Sequence, residues 1–280
     1  MLASSSTISR LDAPHTKHTA LLLRGTRDGD LAATLSSTSS SSATPRAERK
    51  ALFTWSDLLD IVSSGNLQSL SRHPDDLAEY FAWMDSVKSS YGSVTSFLLR
   101  ERFTATKLLE VASSSKASHG SIASSEDEVR FRSAFKVGIE CQILTNDWPY
   151  SVPSTVSHQV VWSYRPILHS SLVADSPLAS QAWSIIAKRG LCGTLTSTGL
   201  TIPSLDQHAA HLPELKLATL SQIETEQLER ALRTACRDLT EFIAHHWDLR
   251  RNEVAFFANP PSLQSVPSLA HFHVLVRPIA

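Results

Sequence analysis

The last strand-like segment constrains this chain more than any other. From Leu269 to Arg277 the residue types alternate with a period of two, and a β-strand turns that period into two faces. Ala270, Phe272, Val274 and Val276 fall on one face, which must be buried. His271, His273, Leu275 and Arg277 fall on the other. The two imidazoles are therefore same-side neighbours, roughly 6–7 Å apart along the strand. A strand of this kind needs sheet partners and a layer of helix on its apolar face. The preceding segments fit. A strand is predicted at Glu253–Ala258, followed by a Pro260-Pro261 loop. Before it, a long helix is predicted from Ser221 to Trp247, opened by a Ser221–Glu224 capping box. Leu228, Ala231, Leu232, Ala235, Leu239, Phe242 and Ile243 give that helix a continuous apolar stripe.

Further upstream, strands are predicted at Val137–Leu144 and His158–Tyr164, the second rich in β-formers at Val160, Val161 and Trp162. Between them Asn146-Asp147-Trp148-Pro149-Tyr150 and Pro153 form a proline-punctuated loop. A helix is expected at Leu178–Lys188, and Gly190–Leu217 is ambiguous, a surface insertion being one reading of it. Nearer the start, helices are predicted at Trp55–Ser64, Pro74–Tyr91 and Val94–Phe103. Pro74 suits a first turn, Asp75 and Asp76 complement the dipole, and Gly92 ends the second helix. Their apolar stripe reads as core packing before it reads as a partner surface.

The expected fold class is α+β: an antiparallel sheet with a long packed helix, preceded by a small helical subdomain. The expected division is a disordered Ser-rich tail over 1–51, the helical subdomain over 52–112, a Ser-rich loop over 113–126, and the α+β domain over 127–280. From Ser36 to Ser42 every residue is Ser or Thr, too polar to offset the entropy of ordering.

Charge and cysteine usage bear on function. With 26 basic and 27 acidic residues the formal net charge is -1, which gives no electrostatic reason to seek nucleic acid or an acidic membrane. No apolar run approaches the roughly 18–20 residues that span a bilayer. The cysteines Cys141, Cys192 and Cys236 are odd in number and far apart, as reduced thiols in an intracellular protein would be. No CxxC pair occurs, which excludes a zinc ribbon. Met1–His18 carries Arg10, Lys17 and the single acid Asp12. That composition is weakly like a mitochondrial transit peptide, but a disordered tail is the favoured reading. A cytoplasmic location is expected, mitochondrial the alternative. The expected partner is a small molecule, with no cofactor implied and homodimerisation left open.

Two resemblances narrow the chemistry. The run LQSVPSLAHFHVLV, the NDWPY loop, the HQVVW strand and the Trp55–Phe103 helices together resemble a fungal family named N-acetylglucosamine-induced proteins. That likeness implies a cytoplasmic protein linked to the amino-sugar response and supplies no reaction. More distantly, Gln264-Ser265-Val266 followed by His271-Phe272-His273 resembles the histidine-triad nucleotide-binding superfamily. Asp147-x-Pro149, then His158 and an apolar strand, look like its ribose-binding loop and next strand, with Asn259 on the strand between.

The second resemblance implies a nucleotide or nucleotide-sugar ligand and nucleotidyl hydrolysis or transfer. His271 and His273 would be catalytic, and Asn146, Asp147, His158, Asn259, Gln264, Ser265 and Arg277 would bind substrate. One imidazole would attack the α-phosphorus and form a nucleotidyl-histidine that water or a second substrate resolves. Ser265 and its turn amides would stabilise the phosphoryl oxygens, and Asp147 would accept from the ribose hydroxyls. Only two of three histidines are present, so two registers stand. In one Leu275 is third and His273 central; in the other Leu269 is first and His271 central, with Arg277 where the superfamily often has arginine.

Other readings remain. The histidine pair can be structural, bonded to loop carbonyls. The scaffold can bind a ligand or a protein without turnover. A His-x-His pair on a strand can also present two imidazoles to one metal, with His158 or Asp147 completing the set. Asp147 can simply cap its turn, and Trp148 and Tyr150 can be core plugs.

Overall fold

The computed structural model describes residues 49–103 and 129–279. Nearly all of the expected 1–51 tail and the whole 113–126 loop lie outside the described residues. The first helix, α1 (Trp55–Ser64), opens on a Thr54–Asp57 capping box and stops at Gly65, whose φ of 69° is left-handed. Helix α2 (Pro74–Tyr91) starts on Pro74 with Asp75 and Asp76 in its first turn and stops at Gly92. Both agree with the boundaries read from the sequence. Helix α3 (Val94–Phe97) is shorter than expected and runs into a π-turn over Leu98–Arg102. There the Phe103 amide reaches back five residues to the Leu98 carbonyl.

The rest of the chain runs β1 (Cys141–Thr145), β2 (Ser157–Ser163), α4 (Ala179–Arg189), β3 (Leu191–Thr196), β4 (Gly199–Thr201), α5 (Leu205–His211), α6 (Gln222–Ala235), α7 (Arg237–His246), β5 (Asn252–Ala258) and β6 (Ala270–Pro278). The six strands form one sheet in the order β1-β2-β6-β5-β3-β4. Every neighbouring pair is antiparallel, so the α+β class with an antiparallel sheet holds.

Three expectations are corrected. Gly190–Leu217 is no surface insertion: β3 lies within the sheet, bonded to β5 on one side and β4 on the other. Its Gly193 resembles a turn residue in sequence, yet a Cβ there would meet the Thr201 carbonyl oxygen at 2.5 Å. The glycine is there for a close backbone approach. The strand expected at Val137–Leu144 begins only at Cys141, because Gly138, at φ 85°, and the Lys136–Glu140 turn come first. The single helix expected over Ser221–Trp247 is two. Cys236 has ψ of -9°, and its amide turns back to the Arg233 carbonyl. The break stays close enough to helical that the apolar stripe runs across it.

Both faces of the sheet are covered. On one, Phe272, Val274 and Val276 of β6 join Val161, Val254 and Phe256 beneath α4, α6 and α7. On the other, α1 packs Trp55, Leu58 and Val62 against Ala255, Phe257 and Leu275. The α2–α3 segment covers Val160 and Trp162 with Val87, Val94 and Leu98. This second face carries the histidines.

Candidate functional site

Register places the site. In the β2–β6 ladder Trp162 lies opposite His271, Val160 opposite His273, and His158 opposite Leu275. Paired residues share a face, so three histidines gather beneath the α2–α3 segment. Their rings converge: His271 and His273 have centroids 5.4 Å apart, and His158 and His273 5.2 Å apart. All three are buried.

Hydrogen bonding assigns each ring a role. The Tyr150 amide, which can only donate, lies 3.4 Å from His158 Nδ1. A neutral His158 therefore carries its proton on Nε2 and donates it to His273 Nδ1, 3.0 Å away. The opposite tautomer would face one N–H against another at Tyr150, although Asn146 Nδ2 stands 3.3 Å from His158 Nε2. His273 then carries its own proton on Nε2. His271 Nδ1 lies 2.9 Å from the Leu269 carbonyl, which can only accept, so His271 Nε2 is the lone-pair nitrogen. One ring is thus prepared to accept or attack and the other to donate.

Burial keeps the rings neutral. It pushes His158 down to about 3, with the Arg72 charge adding to the effect. His273 is held well below the usual range by burial, then by His158, His271 and Arg72. His271 is also lowered by burial, against the Leu269 hydrogen bond. Packing fixes the planes: Tyr150 stacks on His158, Phe257 stacks on His273 with centroids 4.7 Å apart, and Trp162 lies 4.4 Å from His271.

Above the rings lies a cavity of about 320 Å³. His271, His273, Asn146, Asp147 and Ser265 all line it, five of the nine residues singled out from sequence. His158 lies behind His273 and borders a neighbouring cavity instead. Asn259 is buried and lies near the Tyr150 hydroxyl, where its side chain opposes the rise that burial causes in that group. Gln264 donates to the Asn259 carbonyl at 2.8 Å, bracing the Ser265 turn from outside. Arg277 sits at the far end of β6, paired with Glu253 at 3.1 Å and lying over the Trp55 ring. It does not reach the cavity. The NDWPY turn is capped by Asn146, whose Oδ1 accepts from the Trp148 amide at 2.9 Å. Asp147 instead reaches Arg102 at 2.5 Å.

Sequence reasoning missed the two cations and the aromatic wall. Arg72 lines the cavity, donates its Nε to the Trp148 carbonyl at 2.9 Å and lies 4.1 Å above the Tyr80 ring. Among the described residues no carboxylate pairs with it. Tyr80, Trp83 and Trp148 form a cluster with centroids 5.7–6.2 Å apart that lines the same cavity. Tyr80 belongs to the apolar stripe of its helix, where nothing local tells a core stripe from a pocket wall, and Trp83 lies outside the stripe read from the sequence. Among the described residues, no group of three or more His, Cys, Asp or Glu is arranged to hold a metal ion.

The family model described as "Protein of unknown function (DUF3605)" matches residues 54–186 and 211–277. No curated protein matches the chain. A solved structure described as "Crystal Structure of HTC1" is 17% identical, with 80% of this chain and 85% of that chain covered and a TM-score of 0.37. A likeness at that score carries no argument about fold or function.

Proposed function

The chain belongs to the DUF3605 family, whose description names no reaction, and from the site itself we propose that it binds a nucleotide or nucleotide-sugar and transfers or hydrolyses its nucleotidyl group through His271 and His273. One observation carries the reading. A lone-pair imidazole, an N–H imidazole and the guanidinium of Arg72, which has no carboxylate partner among the described residues, border one cavity with Ser265 and Asp147. Arg72 supplies the charge that a phosphate requires, and the aromatic wall offers faces to a base.

In this reading His271 Nε2 attacks phosphorus. A P–N bond forms, the bond to the leaving oxygen breaks, and that oxygen departs with the electron pair as the anion of its phosphate, steadied by a hydrogen bond from His273 Nε2–H and by the charge of Arg72. Water or a second substrate then takes the nucleotidyl group and frees His271. The Leu269 carbonyl fixes the attacking tautomer, as the histidine-triad resemblance would have it in the register with His271 central. The likeness to N-acetylglucosamine-induced proteins makes amino-sugar nucleotides the first compounds to try.

Leu269 favours a second reading. It is a buried side chain in the position of the absent first histidine, and a site lacking that group would bind without turnover.

The test pairs thermal shift with turnover. A ligand at about a hundred times its dissociation constant adds about 2.7 kcal/mol of apparent stability. The wild type should shift with nucleotides or nucleotide-sugars and release a nucleoside monophosphate, whereas His271→Gln should keep the shift and lose the release. A shift without release in the wild type selects the binding reading. No shift in a well-folded wild type across the series overturns both.

A further inference from the structure

Two arginines border the histidine cavity, and they are held differently. Arg72 is tied to a backbone carbonyl, that of Trp148 at 2.9 Å. Arg102 is tied to a carboxylate, that of Asp147 at 2.5 Å. The two guanidiniums are thus anchored to consecutive residues of one loop, and both line the same space. A neutral carbonyl leaves the charge of Arg72 in force, so it can meet a phosphate as it stands. The charge of Arg102 is compensated for as long as Asp147 stays with it.

Local structure brings Arg102 there. Ser93 caps α3, and the helix widens into the π-turn that ends at Arg102. Leu98 and Phe103 are buried at the two ends of that turn and are joined through their backbones. Leu98 and Arg102 both border the cavity. Turns of this kind are rare and frequent at functional sites. The Arg102 and Asp147 side chains are 43% and 46% exposed, so their ion pair is weak and opens at small cost.

Opening it offers a ligand two unlike groups. The Asp147 carboxylate accepts hydroxyl hydrogens. Arg102 only donates, and a phosphate oxygen is a stronger partner for it than water. A ligand with a diol alone takes Asp147 from Arg102 and gives the guanidinium nothing in return. A ligand with a phosphate alone takes Arg102 and gives the carboxylate nothing in return. A ligand with both breaks the pair once and satisfies both halves.

In an extension that rests on the nucleotide reading above, we infer that Arg102 selects for a second phosphate, the leaving group of that reading, and is released to it when ribose hydroxyls occupy Asp147. The ligand class is then a ribonucleoside diphosphate or its sugar ester, not a monophosphate.

Calorimetry on the full chain tests this with nucleoside monophosphates and α,β-methylene diphosphates of the four common bases, each in the ribose and the 2′,3′-dideoxy form. The methylene bridge keeps His271 from cleaving the diphosphates during the titration. In the ribose series the second phosphate should raise affinity roughly ten- to a hundredfold. In the dideoxy series the gain should be roughly two- to fivefold smaller, the range set by one exposed ion pair. Added ligand charge alone would favour both sugars equally. Arg102→Met, at a half-exposed position, should lose most of the gain and all of its dependence on the sugar. Equal gains in the two wild-type series, or a sugar dependence that Arg102→Met retains, overturns the inference and leaves the nucleotide reading standing. A folded wild type that binds none of these compounds overturns that reading and the inference with it.

Discussion

The two faces of β6 are made by alternate residues of one strand and behave as different materials. Phe272, Val274 and Val276 sit in an apolar cluster, with Phe272 packed edge-on to Phe131 and Phe242. His271 and His273, between them, are buried nearly as deeply, yet the Nδ1 of each faces a polar partner, the Leu269 carbonyl and the His158 imidazole. Burial alone stabilises the first face, roughly in proportion to apolar area. On the second, burial is a cost that only hydrogen bonds offset. That cost is met beside a cavity that also holds Arg72, which has no carboxylate partner among the described residues, and the proposed ligand chemistry rests on this pairing of buried imidazoles with a cation.

The comparison breaks most readily on the apolar face. Phe272→Ala removes a fully buried ring and should cost about 3–5 kcal/mol. Urea denaturation should show a lower midpoint with an unchanged slope. A loss under about 1 kcal/mol would mean that this face is not the close-packed layer described.

Acid should single out the histidine face. His158 and His273 have folded values below the ordinary 6.5 of imidazole. Each is neutral when folded, whereas the unfolded chain takes up protons as pH falls below about 6.5. Their contribution is full above that pH and shrinks as pH falls toward about 3, the folded value of His158. Each unit of displacement is about 1.4 kcal/mol, so a loss on the order of several kcal/mol by pH 4 is expected. His271 and His208 add to it in the same direction. Melting curves from pH 7.5 to 4 should fall steeply in the wild type and in Phe272→Ala alike, and less steeply in His158→Asn. Identical slopes in His158→Asn and wild type would contradict the assigned burial of a neutral His158.

How much of this could be read in advance follows from the same contrast. The division of β6 into two faces rests on a period of two, which a strand makes visible without its neighbours. Helices α1 and α2 announce themselves through Gly65, Pro74 and Gly92, whereas the Thr54 cap of α1 emerged only with the structure. The strand β3 did not, because Gly193 serves a backbone approach from Thr201 that only the assembled sheet contains. Asp147 and Ser265 were found as members of short motifs. Arg72 belongs to no motif, and its place over the cavity depends on how the chain entering α2 crosses the sheet. His158 was found, but its bond to His273 depends on the β2–β6 register.

Arg72 offers a finer test. Arg72→Met keeps the stem that packs near Tyr80 and removes the charge. Affinity for a phosphorylated ligand should fall roughly ten- to a hundredfold, the range for losing a charged hydrogen bond. Affinity for the matching nucleoside should change little, as calorimetry would show. Equal losses for both would make Arg72 a packing residue.

The smallest effect should come from the mouth of the cavity. Arg102 and Asp147 are each nearly half exposed, so their ion pair should contribute no more than about 1 kcal/mol to stability. Asp147→Asn should therefore melt close to wild type. Its consequence for binding depends on the ligand's hydroxyls. A carboxylate that accepts from ribose must leave Arg102 or share itself with it, and the asparagine accepts less well. The variant should then bind a ribonucleotide roughly tenfold more weakly, the worth of about one hydrogen bond, while binding its 2′-deoxy counterpart nearly as the wild type does. A loss that is the same for both sugars would assign Asp147 to holding Arg102 in place, and the ribose would need another partner among the groups lining the cavity.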